Sequence, residues 1–558
     1  MNLLDAVRGT ARHLESGVSF LEHGAPDIFV PYERFLRMSA WLGRKMPEDT
    51  VVVIAASDPL PTLLAFFGAL WAGGRPLVVP SPRALGGAAA FGQHVERILT
   101  GLPREPVLAV QDGIATELPG VPVVPLPAEV GGYDALAALD LPASTGPGGD
   151  SIAFLQATSA STGASKVLAI SHANVCANLA ALGVSLGARA DERMLSWLPL
   201  YHDMGLVGTT LLSFFNGWPL YVMKPTEFIM RPRNWIDGLS RYHATVTAAP
   251  NFGYDHASRL VGRQDLPGCD LSALRHAVIG AEPIRLATMM GFYERFRPYG
   301  LRPESLVCSY GMAESTLGST MQEPGRKPRY VVVDPSGTTI GGPVRVVAEG
   351  LLDSPPPDGP GIPVFSVGRP LPGLTAELVD EDGRQIDAET VLGEITLRGS
   401  SIAAGYLDPT TGAPAPFGGA LRTGDLGFRH RGEMFVLERK KHVIIRSGRN
   451  HLAVLLEEQV AAILNHPAHE VIVLDTDIYD PVSDITVVAE HWTKGPQMDR
   501  TQVAALRELE LPIDVVHFVR RRVIPRTTSG KKKYHMTRQR LADRTLKVDH
   551  TVRVAHLW

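Results

Sequence analysis

Hydroxyl side chains, a glycine and a lysine follow an apolar run in the stretch FLQATSASTGASK, Phe154 to Lys166. Hydroxyl and backbone N–H groups donate to phosphate oxygens, a glycine lets the backbone approach an anion, and a lysine adds positive charge. The candidate phosphate-binding residues are Thr158, Ser159, Ser161, Thr162, Gly163 and Lys166. The loop alone also fits a solvated turn after a strand. Other segments must decide between these two interpretations.

The stretch is not a Walker A loop. That motif places a hydroxyl residue directly after its lysine, whereas Val167 follows Lys166. P-loop nucleotide hydrolases are therefore disfavoured. Because another apolar run follows the lysine, we predict a loop between two strands, and then a helix that starts near residues 171–174.

Composition describes an ordinary globular protein of several structural units. The chain has 558 residues, of which 45% are hydrophobic and 20% charged, and this length exceeds one compact core. The net charge of −4 gives no reason to propose nucleic acid as the main partner. Three cysteines without a CxxC pair argue against a structural zinc site or a disulfide framework, and fit a reducing cytoplasm. They are Cys176, Cys269 and Cys308.

Two segments bear on membranes. Charged residues interrupt the first twelve positions, so we expect no signal peptide. No charged residue lies between Asp203 and Lys224, but glycine, asparagine and proline interrupt that stretch. We predict a buried helix to about Phe215, an Asn-Gly turn and a strand there, rather than a membrane span. The expected location is the cytoplasm.

Alternating strand and helix patterns predict a layered α/β fold with a largely parallel sheet. Several short β runs end in small or polar residues, as in LSWLPL–YHDMG, ATVTAAP, HAVIGAEP and SLVCSYGMAES. In open α/β sheets ligands bind at the carboxyl ends of strands, so we expect one site built from these loops. After Arg329 the pattern predicts an antiparallel β subdomain, and from Lys441 a separate small α+β domain.

Five segments, in order along nearly the whole chain, resemble motifs of the adenylate-forming superfamily, which includes acyl-CoA ligases, peptide-synthetase adenylation domains and luciferases. TSASTGASK resembles its phosphate loop, SYGMAES its magnesium and adenine motif, LRTGDLGF its ribose motif, ERKKHVIIRSGRN its hinge, and PRTTSGKKK its catalytic-lysine motif. The resemblance implies an N-terminal adenylation domain over residues 1–440 and a small mobile C-terminal domain over residues 441–558.

Other segments are more similar to fatty-acyl-AMP ligases than to acyl-CoA ligases. They are SWLPLYHDMGLVG, RPRNWI, APNFGY, CDLSALRHAVIGAEPIR and SYGMAESTL. Residues 329–352 resemble the extra segment that distinguishes those ligases from CoA-using relatives. The resemblance implies that a fatty or natural-product acid reacts with ATP to give acyl-AMP and pyrophosphate. A pocket lined by Leu206, Trp218 or Phe252 would suit fatty, polyketide and terpenoid chains alike.

Joining a carboxylate to an anionic phosphate requires positive charge and aligned donors. By resemblance, Glu314 holds Mg²⁺, with Thr162 as a further oxygen ligand. Asp425 accepts hydrogen bonds from the ribose hydroxyls, Arg439 approaches the ribose or phosphate, and Tyr310 lies against adenine. The remaining nucleotide contacts implied by the resemblance are Gly280, Ala281, Glu282, Pro283, Ser309, Gly311, Met312 and Ser315.

Lys531 is by resemblance the catalytic lysine, because a flexible ammonium can neutralise charge between the carboxylate and the α-phosphate. His202 is a second candidate, expected to gate or orient the substrate carboxylate; the acid is already ionised, so a general base is not required. Asp203, Asn251 and Gly311 are expected beside the acyl substrate. Lys441 corresponds to the hinge at which the small domain rotates.

Further basic residues near Lys531 are expected to dock an acidic carrier protein. They are Arg520, Arg521, Arg522, Lys532 and Lys533. The basic tail alone also fits nucleic-acid binding, although its Pro-x-x-x-Ser-Gly-Lys spacing favours catalysis. The favoured acyl acceptor is the phosphopantetheine thiol of an acyl carrier protein. The alternatives are CoA as acceptor and a non-catalytic acyl- or nucleotide-binding regulator.

Each motif alone also has an ordinary explanation: Glu314 as a helix-start carboxylate, Tyr310 as a core tyrosine, and the Gly-Asp pair as a turn. Their combination favours the ligase. The phosphate loop departs from the family at Ala160, Ser165 and Val167, where glycine, proline and glycine are usual. The lost flexibility would weaken ATP binding, but the hydroxyls, Gly163 and Lys166 remain, so we expect an active enzyme with a slow or partner-dependent adenylation step.

Overall fold

The computed structural model describes residues 1–11, 16–22, 24–85, 87–102, 106–111, 114, 121–127, 148–158, 166–261, 265–334, 338–354, 361–446, 449–476, 483–491, 498–527 and 531–554. The chain divides into two compact units. The first comprises Met1–Pro328, Val367–Ala376 and Leu397–Leu421, and the second comprises Arg329–Ser366, Glu377–Thr396 and Arg422–Trp558. A domain boundary between residues 440 and 441 stays a prediction.

Two large sheets form the framework of the first unit. The nine-stranded sheet has the order Arg369–Pro370, Gly318–Met321, Leu306–Gly311, His276–Gly280, Val246–Pro250, Met194–Ser196, Leu220–Val222, Gly17–Phe20 and Ile28–Pro31. The eight-stranded sheet has the order Pro414–Ala415, Gly405–Leu407, Lys166–Ser171, Ile152–Thr158, Arg75–Val79, Val51–Ala55, Val107–Gln111 and Val123–Leu126.

The central pairings of both sheets are parallel. In the larger sheet the strands from Leu306–Gly311 to Gly17–Phe20 run parallel, and in the smaller one those from Ile152–Thr158 to Val123–Leu126 do so. Every residue of Val51–Ala55 is buried, as expected for an aliphatic strand covered on both faces. The predicted layered α/β fold with a largely parallel sheet is confirmed.

Helices of the first unit pack around these sheets. The α-helices are Leu3–Thr10, Tyr32–Gly43, Pro59–Trp71, Pro82–Leu85, Ala88–Leu99, His172–Ser185, Asp203–Gly205, Leu212–Asn216, Pro225–Met230, Arg233–Arg241, Asn251–Val261 and Leu286–Phe296. Leu206–Leu211 is a π-helix, and Arg297–Tyr299, Pro303–Ser305 and Ala313–Ser315 are 3₁₀ turns. The rings of Phe67 and Phe214 lie 4.8 Å apart in the main buried core.

Two local predictions in this unit are confirmed. The helix predicted near residues 171–174 begins at His172, and a capping box between Ser171 and Asn174 fixes its start. The helical part of the apolar stretch after Asp203 ends at Asn216. Gly217 follows it with a φ of 71° and closes the helix. The strand Leu220–Val222 follows.

The other strands among the described residues form four smaller sheets. Their strand orders are Arg345–Leu351, Arg329–Asp334 and Ile362–Phe365; Gln385–Ile386, Leu374–Val379, Gly393–Gly399, Leu421–His430 and Glu433–Arg439; Val443–Arg446 and Arg449–Leu452; and Val471–Asp475, Ile485–His491, Val515–Arg520 and Val548–Arg553. The strand that starts at Arg329 pairs antiparallel with both of its neighbours. The predicted antiparallel β region after Arg329 is therefore present.

The region from Lys440 onward combines the four-stranded sheet with helices. The α-helices are Ala453–Leu464, Arg500–Arg507 and Tyr534–Ala542, and Lys440–His442 and Ala468–Glu470 are 3₁₀ turns. Asn465, with a φ of 55°, ends the first helix. A buried apolar cluster joins that helix to three strands of the four-stranded sheet. This is the α+β arrangement predicted for the C-terminal region.

Within the described ranges, no helix combines the length and the apolar character needed to cross a membrane. Cys176, Cys269 and Cys308 are free thiols.

Candidate active site

The predicted phosphate loop joins two antiparallel strands of the eight-stranded sheet. Thr158 ends the first strand, Lys166 begins the second, and the two residues pair with each other. The Thr158 hydroxyl donates to the Lys166 carbonyl at 3.2 Å. The two strands predicted before and after the loop are confirmed. The loop residues Ser159, Ala160, Ser161, Thr162, Gly163 and Ser165 lie outside the described residues.

Lys166 and Glu314 contact the same tyrosine. The Lys166 ammonium lies 5.0 Å from the centre of the Tyr406 ring, and the Tyr406 hydroxyl donates to Oε1 of Glu314. The first contact is a cation–π attraction and the second a charge-assisted hydrogen bond. Tyr406 belongs to the strand that pairs with Lys166–Ser171. The structure thus brings a candidate phosphate-binding cation and a candidate metal ligand onto one side chain.

The turn that carries Glu314 is held by the loop at residues 401–403. The Ala403 N–H donates to the Glu314 carbonyl at 2.9 Å, and the Thr316 hydroxyl donates to the Ser401 carbonyl at 2.7 Å. Thr316 has a φ of 71°, which is costly for a β-branched residue and persists only where its surroundings enforce it. The backbone beside Glu314 is therefore fixed before any ligand binds.

The donor set at Glu314 fits a magnesium ion. Among the residues that the structure describes, no group of three or more His, Cys, Asp and Glu side chains is arranged to hold a metal by itself. Mg²⁺ commonly binds one or two carboxylates together with substrate phosphates and water. Glu314 would hold the ion in this way, and the ion would supply positive charge to the polyphosphate.

The loops at the carboxyl ends of two neighbouring strands approach each other closely. A Cβ atom on Gly280 would lie 2.6 Å from the Ser309 carbonyl oxygen, and one on Gly311 would lie 1.9 Å from the Leu317 carbonyl oxygen. Ala281 has a φ of 67°, which alanine adopts only under constraint. These tight backbones coincide with the segments predicted to hold adenine. The Tyr310 hydroxyl faces the sulfur of Met312 at 3.9 Å.

Asn251 and Glu282 tie two of these loops together. Asn251 is only 2% exposed; its oxygen accepts from the Arg285 N–H at 2.9 Å and its amide nitrogen donates to the Thr288 hydroxyl at 3.2 Å. A carboxylate oxygen of Glu282 accepts from the Phe252 N–H at 2.5 Å. Asn251 therefore holds these loops together, and its expected contact with the acyl substrate stays a prediction.

His202 and Asp203 begin a helix that widens into a π-helix. His202 is the N-cap, and an Asp203 oxygen accepts from the Met204 N–H at 2.8 Å. The ring centres of His202 and Tyr201 are 5.0 Å apart. The hydroxyl of Thr209 donates to the Gly205 carbonyl at 2.7 Å within the wider turn. π-Helical segments are frequent at functional sites, and this one directly follows the candidate acyl entrance.

Two of the three residues suggested as acyl-pocket lining belong to the main core. Leu206 and Trp218 are nearly inaccessible and pack in the large apolar cluster of the first unit. Phe252 is half-buried, and its ring meets the ring of Trp197 edge-on at 5.9 Å. Of the three side chains, Phe252 is the most accessible.

The candidate ribose site lies on two adjacent antiparallel strands of the second unit. Asp425 is 6% exposed, pairs with Arg439 across the strands, and accepts from its Nε at 2.8 Å. The Thr423 hydroxyl accepts from the Asp425 N–H at 3.0 Å. A desolvated carboxylate held beside a guanidinium is a strong acceptor for neighbouring hydroxyl groups. The resemblance assigns Asp425 to the ribose and Arg439 to the ribose or the phosphate, and both assignments stay predictions.

Lys531 and Lys441 both have exposed side chains. The Lys531 N–H donates to the Thr527 hydroxyl at 3.0 Å, and the Thr527 N–H donates to the Lys531 carbonyl at 2.8 Å. Lys441 is the middle residue of the 3₁₀ turn Lys440–His442. The catalytic and hinge assignments of these two lysines stay predictions.

One residue of the predicted carrier-binding set was placed wrongly. The Lys532 side chain turns inward, where its ammonium pairs with the carboxylate of Glu457 and donates to the Val471 carbonyl at 2.7 Å. Arg521 and Arg522 are exposed. Lys532 is therefore removed from the predicted docking set. The sequence of a basic run does not show which of its residues pairs with a buried carboxylate.

Sequence reasoning also missed Tyr406, Glu457 and Tyr534. Tyr406 lies 92 residues from Glu314 along the chain, in a segment without a recognisable chemical pattern. Glu457 lies on the buried, mainly apolar face of the helix Ala453–Leu464 and is 1% exposed. A carboxylate inside an apolar helical face is the one signal that pointed to a buried partner.

Comparisons with known proteins agree with this arrangement. The family model described as "AMP-binding enzyme" matches residues 32–407. The chain is 30% identical to the 4-hydroxyphenylalkanoate adenylyltransferase of Mycobacterium marinum, over 86% of this chain and 80% of the relative. It is 31% identical to the long-chain-fatty-acid–AMP ligase FadD26 of the same species, over 87% and 86% of the two chains. It is also 31% identical to the medium-chain-fatty-acid–[acyl-carrier-protein] ligase JamA of Moorena producens, over 71% and 69%.

A solved structure shows the same architecture. It comes from a study of fatty acyl-adenylate ligases from E. coli and L. pneumophila, is 25% identical in sequence, and superposes with a TM-score of 0.83 over 98% of both chains. The resemblance to adenylate-forming enzymes, and to fatty-acyl-AMP ligases in particular, is confirmed. The chain belongs to the AMP-binding enzyme family.

Proposed function

We propose that this protein activates a carboxylic acid with ATP to form acyl-AMP and pyrophosphate, and then transfers the acyl group to the phosphopantetheine thiol of an acyl carrier protein. The observation that supports this most directly is the shared Tyr406 contact of Lys166 and Glu314. A cation next to a magnesium-type carboxylate is the combination that a magnesium-bound polyphosphate requires.

In the first half-reaction, a carboxylate oxygen bonds to the α-phosphorus of ATP while the bond to the bridging oxygen of pyrophosphate breaks. The carboxylate is already ionised, so no base is needed and His202 has an orienting role. Lys531 neutralises the charge that develops at the phosphorus, as an ammonium on a flexible stem can do. Asp425 and Arg439 hold the ribose, and Lys441 serves as the hinge between the half-reactions.

In the second half-reaction, the thiol loses its proton, its sulfur bonds to the acyl carbon, and AMP leaves. A carrier protein is the favoured acceptor because the relative JamA is named as an acyl-carrier-protein ligase, and because exposed arginines follow the strand Val515–Arg520. CoA is the competing acceptor.

Fatty acids are the favoured substrates. One relative and the solved structure carry fatty-acyl-adenylate names, whereas another relative is named for hydroxyphenylalkanoates. Pyrophosphate release should therefore be measured with octanoate, dodecanoate, hexadecanoate and 4-hydroxyphenylpropanoate, each with CoA or with a phosphopantetheinylated carrier. The proposal predicts the fastest release with a fatty acid, and thioester only on the carrier. Thioester on CoA would favour the acyl-CoA ligase, and no release with any acid would favour the non-catalytic regulator.

The carrier surface has its own test. Neutralising the exposed Arg521 and Arg522 by glutamine should raise the KM for the carrier while leaving the KM for ATP unchanged, because rim charges act mainly on encounter. Arg345→Gln with Arg384→Gln is the matched control, since these arginines are 75% and 73% exposed elsewhere in the same unit. An unchanged KM for the carrier in the Arg521 and Arg522 variant would contradict this docking surface.

The lysine assignment is tested by Lys531→Ala. The proposal predicts that this variant loses acyl-AMP formation and keeps thioester formation from supplied acyl-AMP. Equal loss of both half-reactions would refute it.

A further inference from the structure

The backbone around Lys531 forms the closed base of a hairpin. Thr527 and Lys531 exchange two hydrogen bonds, one through the Thr527 hydroxyl and one through the Lys531 carbonyl. The flanking residues Arg526 and Lys532 form an antiparallel bridge. The Lys531 side chain is exposed, so its backbone is fixed while its ammonium stays free to move.

A buried ion pair anchors the C-terminal arm of this hairpin. The Lys532 ammonium contacts the Glu457 carboxylate and donates to the Val471 carbonyl at 2.7 Å. Glu457 also accepts from the Tyr534 hydroxyl at 2.6 Å and from the Val473 N–H at 3.3 Å. Burial raises the pKa of the Glu457 carboxyl, and the neighbouring Lys532 opposes that shift. Burying two charges is costly, and removing one partner leaves the other charge buried without compensation. The pair therefore favours the folded position in which Lys532 and Glu457 meet.

The other arm is anchored as well. Arg526 donates to the His469 carbonyl at 2.8 Å and lies 3.4 Å from the buried carboxylate of Glu490. Both arms of the hairpin are thus attached to the four-stranded sheet and the turn before it.

The same anchor reaches the turn that contains Lys441. The ring of Tyr534 stacks on the ring of His442, with centres 4.0 Å apart. The His442 Nδ1 atom lies 3.3 Å from Glu438, which also accepts from the Val454 N–H at 2.6 Å. Tyr534 therefore links the Glu457 carboxylate to the predicted hinge turn.

We propose that Glu457, Lys532 and Tyr534 are positioning residues for Lys531: they hold the base of its hairpin so that the exposed ammonium starts from one place during adenylation. The inference rests on the proposed role of Lys531. None of the three contacts the reacting atoms. A displacement of about 1 Å at a catalytic group can lower a rate by about a hundred-fold, so loss of the anchor acts on the rate of adenylation rather than on substrate binding.

The test uses two variants of the full-length chain. Tyr534→Phe removes only one hydroxyl, and the double change Glu457→Gln with Lys532→Gln replaces the ion pair by a neutral hydrogen-bonding pair. In each we expect the kcat of acyl-AMP formation to fall by about ten-fold or more, with the KM for ATP and the rate of thioester formation from supplied acyl-AMP within about two-fold of the parent. Unchanged adenylation in the folded variants, or a parallel fall of both half-reactions, would overturn the inference.

A matched control and a second comparison make the result specific. Arg538→Met breaks another partly buried ion pair of the same region, in which the Arg538 guanidinium lies 2.5 Å from the Asp475 carboxylate. This variant is expected to keep the rates of both half-reactions within about two-fold of the parent. A fall in adenylation equal to that of Tyr534→Phe would overturn the inference. If Lys531→Ala keeps full adenylation, the proposed role of Lys531 fails. If Lys531→Ala loses adenylation while the Tyr534 and Glu457–Lys532 variants keep it, only the positioning inference fails.

Discussion

Removing the hydroxyl of Tyr406 tests whether Glu314 and Lys166 work on the same polyphosphate. Tyr406→Phe deletes the hydrogen bond to the Glu314 carboxylate and keeps the ring under the Lys166 ammonium. Tyr406→Leu deletes both contacts. The two variants therefore separate an effect on the metal ligand from an effect on the phosphate-binding cation.

The structure sets the size of each effect. A hydrogen-bonding partner that orients a metal ligand is typically worth about 10- to 100-fold in metal affinity, so Tyr406→Phe should raise the Mg²⁺ concentration for half-maximal rate by that factor. Lys166 is exposed, and a cation–π contact at an exposed site is worth about 0.5–1 kcal/mol, or roughly two- to five-fold. Tyr406→Leu should therefore add a roughly two- to five-fold rise in the KM for ATP.

The assay is pyrophosphate release with a saturating fatty acid. Magnesium is varied at saturating ATP, and ATP is varied at saturating magnesium. The reasoning predicts that only the magnesium dependence changes in Tyr406→Phe, and that both dependences change in Tyr406→Leu. A Tyr406→Phe variant with the parental magnesium dependence would refute the view that this hydroxyl orients a metal ligand.

Three further predictions concern stability and nucleotide binding. Burial lowers the pKa of His172 from an ordinary 6.5 to about 4, so the unfolded chain takes up the proton first as the pH falls. The contribution of His172 to the free energy of unfolding is complete above pH 6.5 and falls by up to about 3 kcal/mol as the pH drops to about 4. Urea unfolding at pH 7.5 and 4.5 should show a smaller loss of stability in His172→Gln than in the parent, and equal losses would contradict the assignment. Asp425→Asn removes a charge-assisted acceptor worth about 1.5–3 kcal/mol and should raise the KM for ATP by roughly 10- to 100-fold. The control Asp387→Asn, at an exposed site, should leave the KM for ATP unchanged. An unchanged KM for ATP in Asp425→Asn would exclude Asp425 from ribose binding. Lys166→Ala should weaken ATP binding by more than the two- to five-fold expected of Tyr406→Leu, because it removes the charge itself; unchanged ATP affinity and rate would show that the loop does not bind phosphate.

Elements marked by local chemistry were predictable from the sequence. Ser171 and Asn174 are three residues apart and form the capping box that starts their helix. The Asn-Gly pair at residues 216–217 closes a helix because glycine accepts a positive φ. In each case the decisive interaction lies within a few positions of the chain.

Contacts between distant segments were not predictable in the same way. The hydroxyl of Tyr406 meets Glu314 across 92 residues, and Lys532 meets Glu457 across 75. Composition identified Lys532 only as one basic residue among several, because nothing local shows that a buried carboxylate will hold it.

The departure at Val167 illustrates the same limit. The family usually has glycine there, and the sequence indicated only lost flexibility. In the structure Val167 is buried in an apolar cluster of the eight-stranded sheet, so this position belongs to the strand and its side chain contributes to packing.

The most direct test of the central claim is detection of the adenylate itself. The purified protein is incubated with ATP, Mg²⁺ and dodecanoate in the absence of any thiol, and the quenched mixture is analysed by mass spectrometry for dodecanoyl-AMP and pyrophosphate. Our account predicts equal amounts of the two products with the parent chain and neither product with Lys531→Ala. The account would be contradicted if the parent chain formed no acyl-AMP from dodecanoate or from any other acid of the panel.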